Sequence, residues 1–167
     1  MTALSTAAIP TELREREQWV LWKREVRKGE ETKVPYSITG MMADSTNSST
    51  WTEFDTALAH VEGYAGIGYV FSNVDPFCGV DLDDCLDAAG QLDATAQKIV
   101  DAFSTYTEIS PSGTGVKFWI RAKKHTRRCK TGIIWANGTE GMAATVVIAR
   151  LPRVRPRFRF PATALRL

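Results

Sequence analysis

The hydrophobic pattern changes character several times along the chain. Gln18-Trp19-Val20-Leu21-Trp22-Lys23 is a short run rich in aromatic and β-branched residues and predicts a strand. Lys28-Gly29-Glu30 predicts a turn. Thr32-Lys33-Val34-Pro35-Tyr36 follows as a second strand at a sheet edge, because Pro35 has no N–H to give a ladder. Upstream, Thr11 is placed to cap a short helix over 12–15, with acidic residues in its first turn. The polar stretch 39–50 predicts a loop, and the spacing of Phe54, Leu58 and Val61 a helix over 51–60.

Two apolar runs then predict strands over 66–72 and 76–82, on either side of Asn73-Val74-Asp75. Ala94, Ile99, Val100 and Phe103 give helical spacing to 92–103. Residues 106–110, a turn at 111–115 and residues 116–121 read as a hairpin with a loop longer than two residues. Helices and strands alternate without strict βαβ order. The expected fold is therefore α+β, with a mixed or antiparallel sheet and helices packed on it.

The second of the apolar runs ends in chemistry. Gly79-Val80-Asp81-Leu82-Asp83-Asp84-Cys85 carries Asp81 and Asp83 two residues apart, so an extended backbone would point both to one face. Like charges that close repel unless a cation lies between them, and carboxylate oxygens suit Mg²⁺ or Mn²⁺. The structural alternative is that acidic residues merely end a strand and cap the next turn. An EF-hand loop is excluded, because Leu86 and Leu92 occupy the places of its glycine and its final glutamate.

A second motif lies about 30 residues further on. Ser110-Pro111-Ser112-Gly113-Thr114-Gly115-Val116-Lys117 supplies hydroxyls, backbone N–H groups freed by glycine, and then a cation. Such a turn can bring its backbone close to a phosphate while Lys117 adds a point charge. It is not a Walker loop, since GxxxxGK[ST] is absent.

Composition sets the frame for these motifs. The 167 residues, 44% hydrophobic and 24% charged, fit one soluble globular domain. No apolar run approaches the roughly 20 residues of a membrane-spanning helix, and no membrane partner is expected. MTALSTAAIP lacks the basic and apolar regions of a signal peptide. Cys78, Cys85 and Cys129 form no CxxC pair, which suits a reduced, cytoplasmic protein. The net charge of +2 conceals a split: residues 1–120 carry 9 Lys and Arg against 18 Asp and Glu, and residues 121–167 carry 12 against 1. A tail so basic would bind nucleic acid nonspecifically.

In order, Gln18-Trp19-Val20-Leu21-Trp22, Thr32-Lys33-Val34-Pro35-Tyr36, Gly66-Ile67-Gly68-Tyr69-Val70-Phe71, Asp81-Leu82-Asp83-Asp84-Cys85 and Tyr106-Thr107-Glu108-Ile109-Ser110-Pro111-Ser112-Gly113-Thr114-Gly115 form a series. The series resembles the N-terminal domain of phage and plasmid primase-polymerases of the archaeo-eukaryotic primase superfamily. The resemblance covers residues 15–132, after a lead-in over 1–14, and implies a primase-polymerase-like catalytic core. It implies that Asp81 and Asp83 are catalytic ligands of Mg²⁺ or Mn²⁺. It also implies that Ser110, Ser112, Gly113, Gly115 and Lys117 hold the incoming nucleoside triphosphate. Lys117 stands where family members often have a histidine, and cannot exchange protons as an imidazole does near neutral pH. The implied partners are nucleoside triphosphates, single-stranded or primed DNA and a replicative helicase.

The pattern breaks after Gly132. The family's third acidic residue on a later strand has only Glu140 as a counterpart, and 133–167 holds six Arg and three Pro but no Asp or Lys. This abrupt change motivates the hypothesis that 133–167 is an out-of-frame reading of a GC-rich gene, leaving the domain incomplete at its C-terminus. Resequencing the locus tests it, and an intact frame refutes it. An inactive relic or accessory module that binds DNA or nucleotide without turnover is the alternative. A weaker one is a haloacid-dehalogenase-like phosphatase, whose nucleophile motif is similar to Asp81-Leu82-Asp83-Asp84 but needs a later acidic pair, and Glu140 is the only acid after Glu108.

Overall fold

A computed structural model describes residues 6–72, 74–122, 130–131, 134–137 and 146–148. They form two units, one of residues 9–71 with 146–148 and the other centred on residues 72–137. The fold is α+β, and every described strand pairing is antiparallel.

The first unit holds a sheet of β1 (Trp19–Arg27), β2 (Glu30–Tyr36), β3 (Gly66–Val70) and β9 (Val146–Ile148) in the order β2-β1-β3-β9. β1 and β2 are joined by Lys28-Gly29, both at positive φ (53° and 84°), the conformation that matches the twist of a two-residue hairpin. Pro35 lies on β2 at the sheet edge, where its missing N–H leaves no ladder bond unmade. Trp19 and Tyr69 are directly paired, and Trp19 meets both Tyr69 and Phe54 edge-on. Phe54 opens α2 (Phe54–Ala59), which begins later than the apolar spacing predicts. Thr52 instead bridges to Trp19, and Glu53 is the cap. Thr11 is likewise inside α1 (Thr11–Arg14) rather than its cap, which is Pro10; its hydroxyl accepts from Arg14.

The second unit holds β4 (Phe77–Leu82), β5 (Thr107–Ile109), β6 (Val116–Arg121), β7 (Lys130–Thr131) and β8 (Ile134–Asn137), in the order β5-β6-β4-β8-β7. The predicted hairpin is β5 and β6. Val80 and Leu82 of β4 and Val116 and Phe118 of β6 pack with Ala96, Ile99, Val100 and Phe103 of α3 (Ala94–Phe103). Asp93 ends the helix two residues inside the predicted start, because its carboxylate accepts from the N–H groups of Thr95 and Ala96. This sheet thus has one face committed to α3.

Candidate functional site

Alternation along β4 sends Val80 and Leu82 to the helix-covered face and Asp81 to the other. The strand ends at Leu82, so Asp83 is the first residue beyond it, and it is exposed. Asp84 takes a positive φ of 50° and reverses the chain, and Cys85 returns to the core. Asp87 serves the next turn, its carboxylate accepting from the N–H groups of Ala89 and Gln91.

The antiparallel register builds a cross-strand row that sequence spacing does not disclose. Asp81 pairs with Lys117 across β4 and β6, and Lys117 pairs with Glu108 across β6 and β5. Directly opposed residues share a face, so the three side chains stand in line on the face away from α3. The Lys117 ammonium is bonded to Asp81 Oδ2, with the side chains only 14% and 17% exposed. Glu108 is buried, and its Oε1 accepts from the Tyr106 hydroxyl. Two oxygens of the row, Asp81 Oδ1 and Glu108 Oε2, are buried with no hydrogen-bond partner.

Burial pushes the Glu108 carboxyl up to about 8, against the opposing pull of the Tyr106 hydroxyl and the nearby Lys117 charge. Burial, with Glu108 alongside, also raises the Tyr106 phenol. Sequence reasoning gives Glu108 no role beyond its place in a motif. The signal for it is the period-two spacing of Tyr106, Glu108 and Ser110, which becomes informative only once the register sets β5 beside β6.

The serine-glycine turn is pinned to β4. A Cβ on Gly115 would lie 2.4 Å from the Leu82 carbonyl oxygen and 3.3 Å from Asp83 Cα, and the Leu86 N–H donates to Thr114 O at 2.9 Å. Only glycine allows that approach. Gly113 has open space around it and is required instead by its φ of +83°. The root of the turn, Ser110 and Gly115, is buried, and its tip, Ser112, Gly113 and Thr114, is exposed. The turn's own oxygens hold its backbone donors: Gly113 N–H gives to Ser110 O, Gly115 N–H to Ser110 Oγ at 3.2 Å, and Thr114 N–H to Ser112 Oγ at 3.4 Å. A chain of hydroxyls runs along it, Ser110 to Ser112 at 2.7 Å and Ser112 to Thr114 at 3.1 Å.

The structure therefore brings Asp81, Asp83, the turn and Lys117 to one end of β4 and β6, and adds Glu108. Among the described residues no three His, Cys, Asp or Glu form a metal-holding group. Glu140 and most of the tail over 133–167 lie outside the described residues. Trp19, Trp22 and Trp119 are core residues, and the partly buried Trp51 packs beside Val20 and Val70. No helix of the described residues is long and apolar enough to cross a membrane.

No protein-family model matches the chain. Over 110 residues, 64% of its length, it is 37% identical to the protein named DNA Primase-polymerase of Nitratiruptor phage NrS-1. The chain is a relative of a phage DNA primase-polymerase. The matched stretch amounts to 15% of the phage protein's length. This relationship to a primase-polymerase bears out the resemblance drawn from the five ordered sequence blocks.

Proposed function

We propose that the chain carries a nucleotidyl-transfer site of the DNA primase-polymerase type. Asp81 and Asp83 would hold Mg²⁺ or Mn²⁺, residues 110–117 would receive a nucleoside triphosphate, and residues 15–132 would be the working domain. The observation that supports the reading is the close approach of Gly115 to the Leu82–Asp83 backbone, which sets the phosphate-type turn beside the acidic strand end.

The residues suit a cation. Asp81 Oδ1 is a buried, unpartnered carboxylate oxygen, and Oδ2 already faces a positive charge. When bound, a divalent ion supplies charge neutralisation and activation of the attacking oxygen. The chain's own groups do the rest. Ser112 and Thr114 present hydroxyls at the exposed tip, and the N–H groups of Thr114 and Gly115, held by hydroxyls of the turn, become donors to phosphate when those hydroxyls rotate. Lys117 contributes a charge against the leaving pyrophosphate while a primer 3′-hydroxyl, or that of a first nucleotide, attacks the α-phosphate. Single-stranded or primed DNA is the template partner, and a replicative helicase would act in the same replication process.

The test is Mg²⁺- or Mn²⁺-dependent nucleotide incorporation on single-stranded and primed DNA, beside the Asp81→Ala/Asp83→Ala variant. Incorporation that vanishes in the variant is expected. A folded protein that binds nucleotide and metal yet incorporates nothing would instead identify a non-catalytic binding module. That second reading draws on the absence of a third carboxylate beside Asp81 and Asp83 among the described residues.

A further inference from the structure

Lys117 stands on the middle strand of its row with a carboxyl group directly opposite on each side, Asp81 on β4 and Glu108 on β5. Each carboxyl group has one satisfied oxygen and one buried oxygen without a partner. Orphaned buried oxygens are rare and call for an explanation. Two of them flanking one ammonium describe a site with two berths and one resident cation.

We propose that Lys117 is a displaceable counter-ion, which neutralises Asp81 while no metal is bound and crosses to Glu108 when a divalent cation takes Asp81. The inference deepens the proposed metal site and rests on it. An ammonium left facing a divalent ion in a half-buried site would be strongly repelled. An ammonium withdrawn to no partner would bear the desolvation of an unpaired charge. Glu108 removes both difficulties, because its buried carboxyl, which holds a proton while Lys117 sits on Asp81, releases that proton to solvent as the ammonium arrives and becomes its counter-charge. Lysine suits the role, being a compact charge on a flexible four-carbon stem, whereas a planar guanidinium binds in a fixed fork.

Glu108 is in this scheme a positioning residue. It acts on the metal only through Lys117, and its carboxylate lies two residues before Ser110, at the root of the turn. The displaced ammonium therefore arrives beside the segment that would hold the triphosphate. Metal loading and the positive charge awaiting the nucleotide become one event.

The experiment is Mn²⁺ binding to the full chain, followed by the electron paramagnetic resonance of free Mn²⁺. It compares wild type, Lys117→Met, Glu108→Gln and the double variant, with Asp81→Asn as reference. Lys117→Met should tighten binding by roughly five- to tenfold, and Glu108→Gln should weaken it by a similar factor, the range of ordinary coupling between sites. The double variant should match Lys117→Met, because the second berth then has no occupant. Glu108→Asp, which keeps an acid at this position should the amide prevent folding, should weaken binding less and lose all effect in the Lys117→Met background. Weakening by Glu108→Gln or Glu108→Asp that persists without Lys117 overturns the inference, as does a Lys117→Met variant that binds no tighter. Mn²⁺ binding indifferent to Asp81→Asn would instead remove the metal site itself.

Discussion

Strands β3 and β4 are close in composition and different in use. Gly66-Ile67-Gly68-Tyr69-Val70 and Phe77-Cys78-Gly79-Val80-Asp81-Leu82 are both glycine-bearing apolar runs, each with a paired strand on either side in its own sheet. β3 is buried at every position, and its Tyr69 ring meets those of Trp19 and Phe71. β4 has the same burial except at Asp81. A single charge in an otherwise apolar interior strand is costly to fold around. Its neighbours in register are a lysine and a buried glutamate, so the departure from the β3 pattern is organised across three strands. One strand is scaffold, and the other presents chemistry from the same kind of scaffold.

The contrast can be tested first by damage. Trp19→Ala, in the sheet of β3, removes a buried ring packed against Phe54 and Tyr69, and should destabilise the protein by about 3–5 kcal/mol in chemical denaturation. Asp81→Asn should cost less than that, because Glu108 stands opposite Lys117 as a second acidic partner, and an equal loss would make β4 as purely structural as β3. Next in size, Gly115→Ala forces a methyl group against the Leu82 carbonyl oxygen and should cost about 1–3 kcal/mol, lowering the melting temperature. An unchanged melting temperature would mean that the turn lifts from β4 freely.

The smallest effect sharpens the comparison through pH. The folded Glu108 carboxyl keeps its proton up to about 8, whereas the unfolded one releases it near 4.5. Between those values the folded state binds more protons, so this group's contribution to stability falls as pH rises. Glu108→Gln should flatten the decline over that window, as read from denaturation curves at several pH values. Parallel slopes for the variant and the wild type would contradict the burial of this carboxyl.

The strands, the β1–β2 turn and the edge placement of Pro35 are legible in the sequence because local preference and tertiary packing agree there. Boundaries are less so. β1 continues through Arg27, beyond the aromatic run, because pairing with β2 extends it and Arg24 meets Glu31 across the hairpin. The acidic strand end and the serine-glycine turn can be picked out by eye, but their contact depends on the register of β4 against β6. Glu108 is hidden for the same reason, since nothing near it in sequence reveals that it will face Lys117. The expected shared face of Asp81 and Asp83 presumes a strand running through both, and the chain turns at Asp84 instead.

The tight seat of Gly115 on Leu82 also determines how the turn can move. With its root clamped to the strand end, Pro111 buried and Thr114 O held by the Leu86 N–H, the turn is tethered at both shoulders, and only its tip at Ser112-Gly113 has open space to move into. That tip can tilt, but the turn cannot slide along β4. A nucleotide drawing the tip inward would then change the angle of the exposed hydroxyls while leaving the spacing between Asp83 and Gly115 as the backbone sets it.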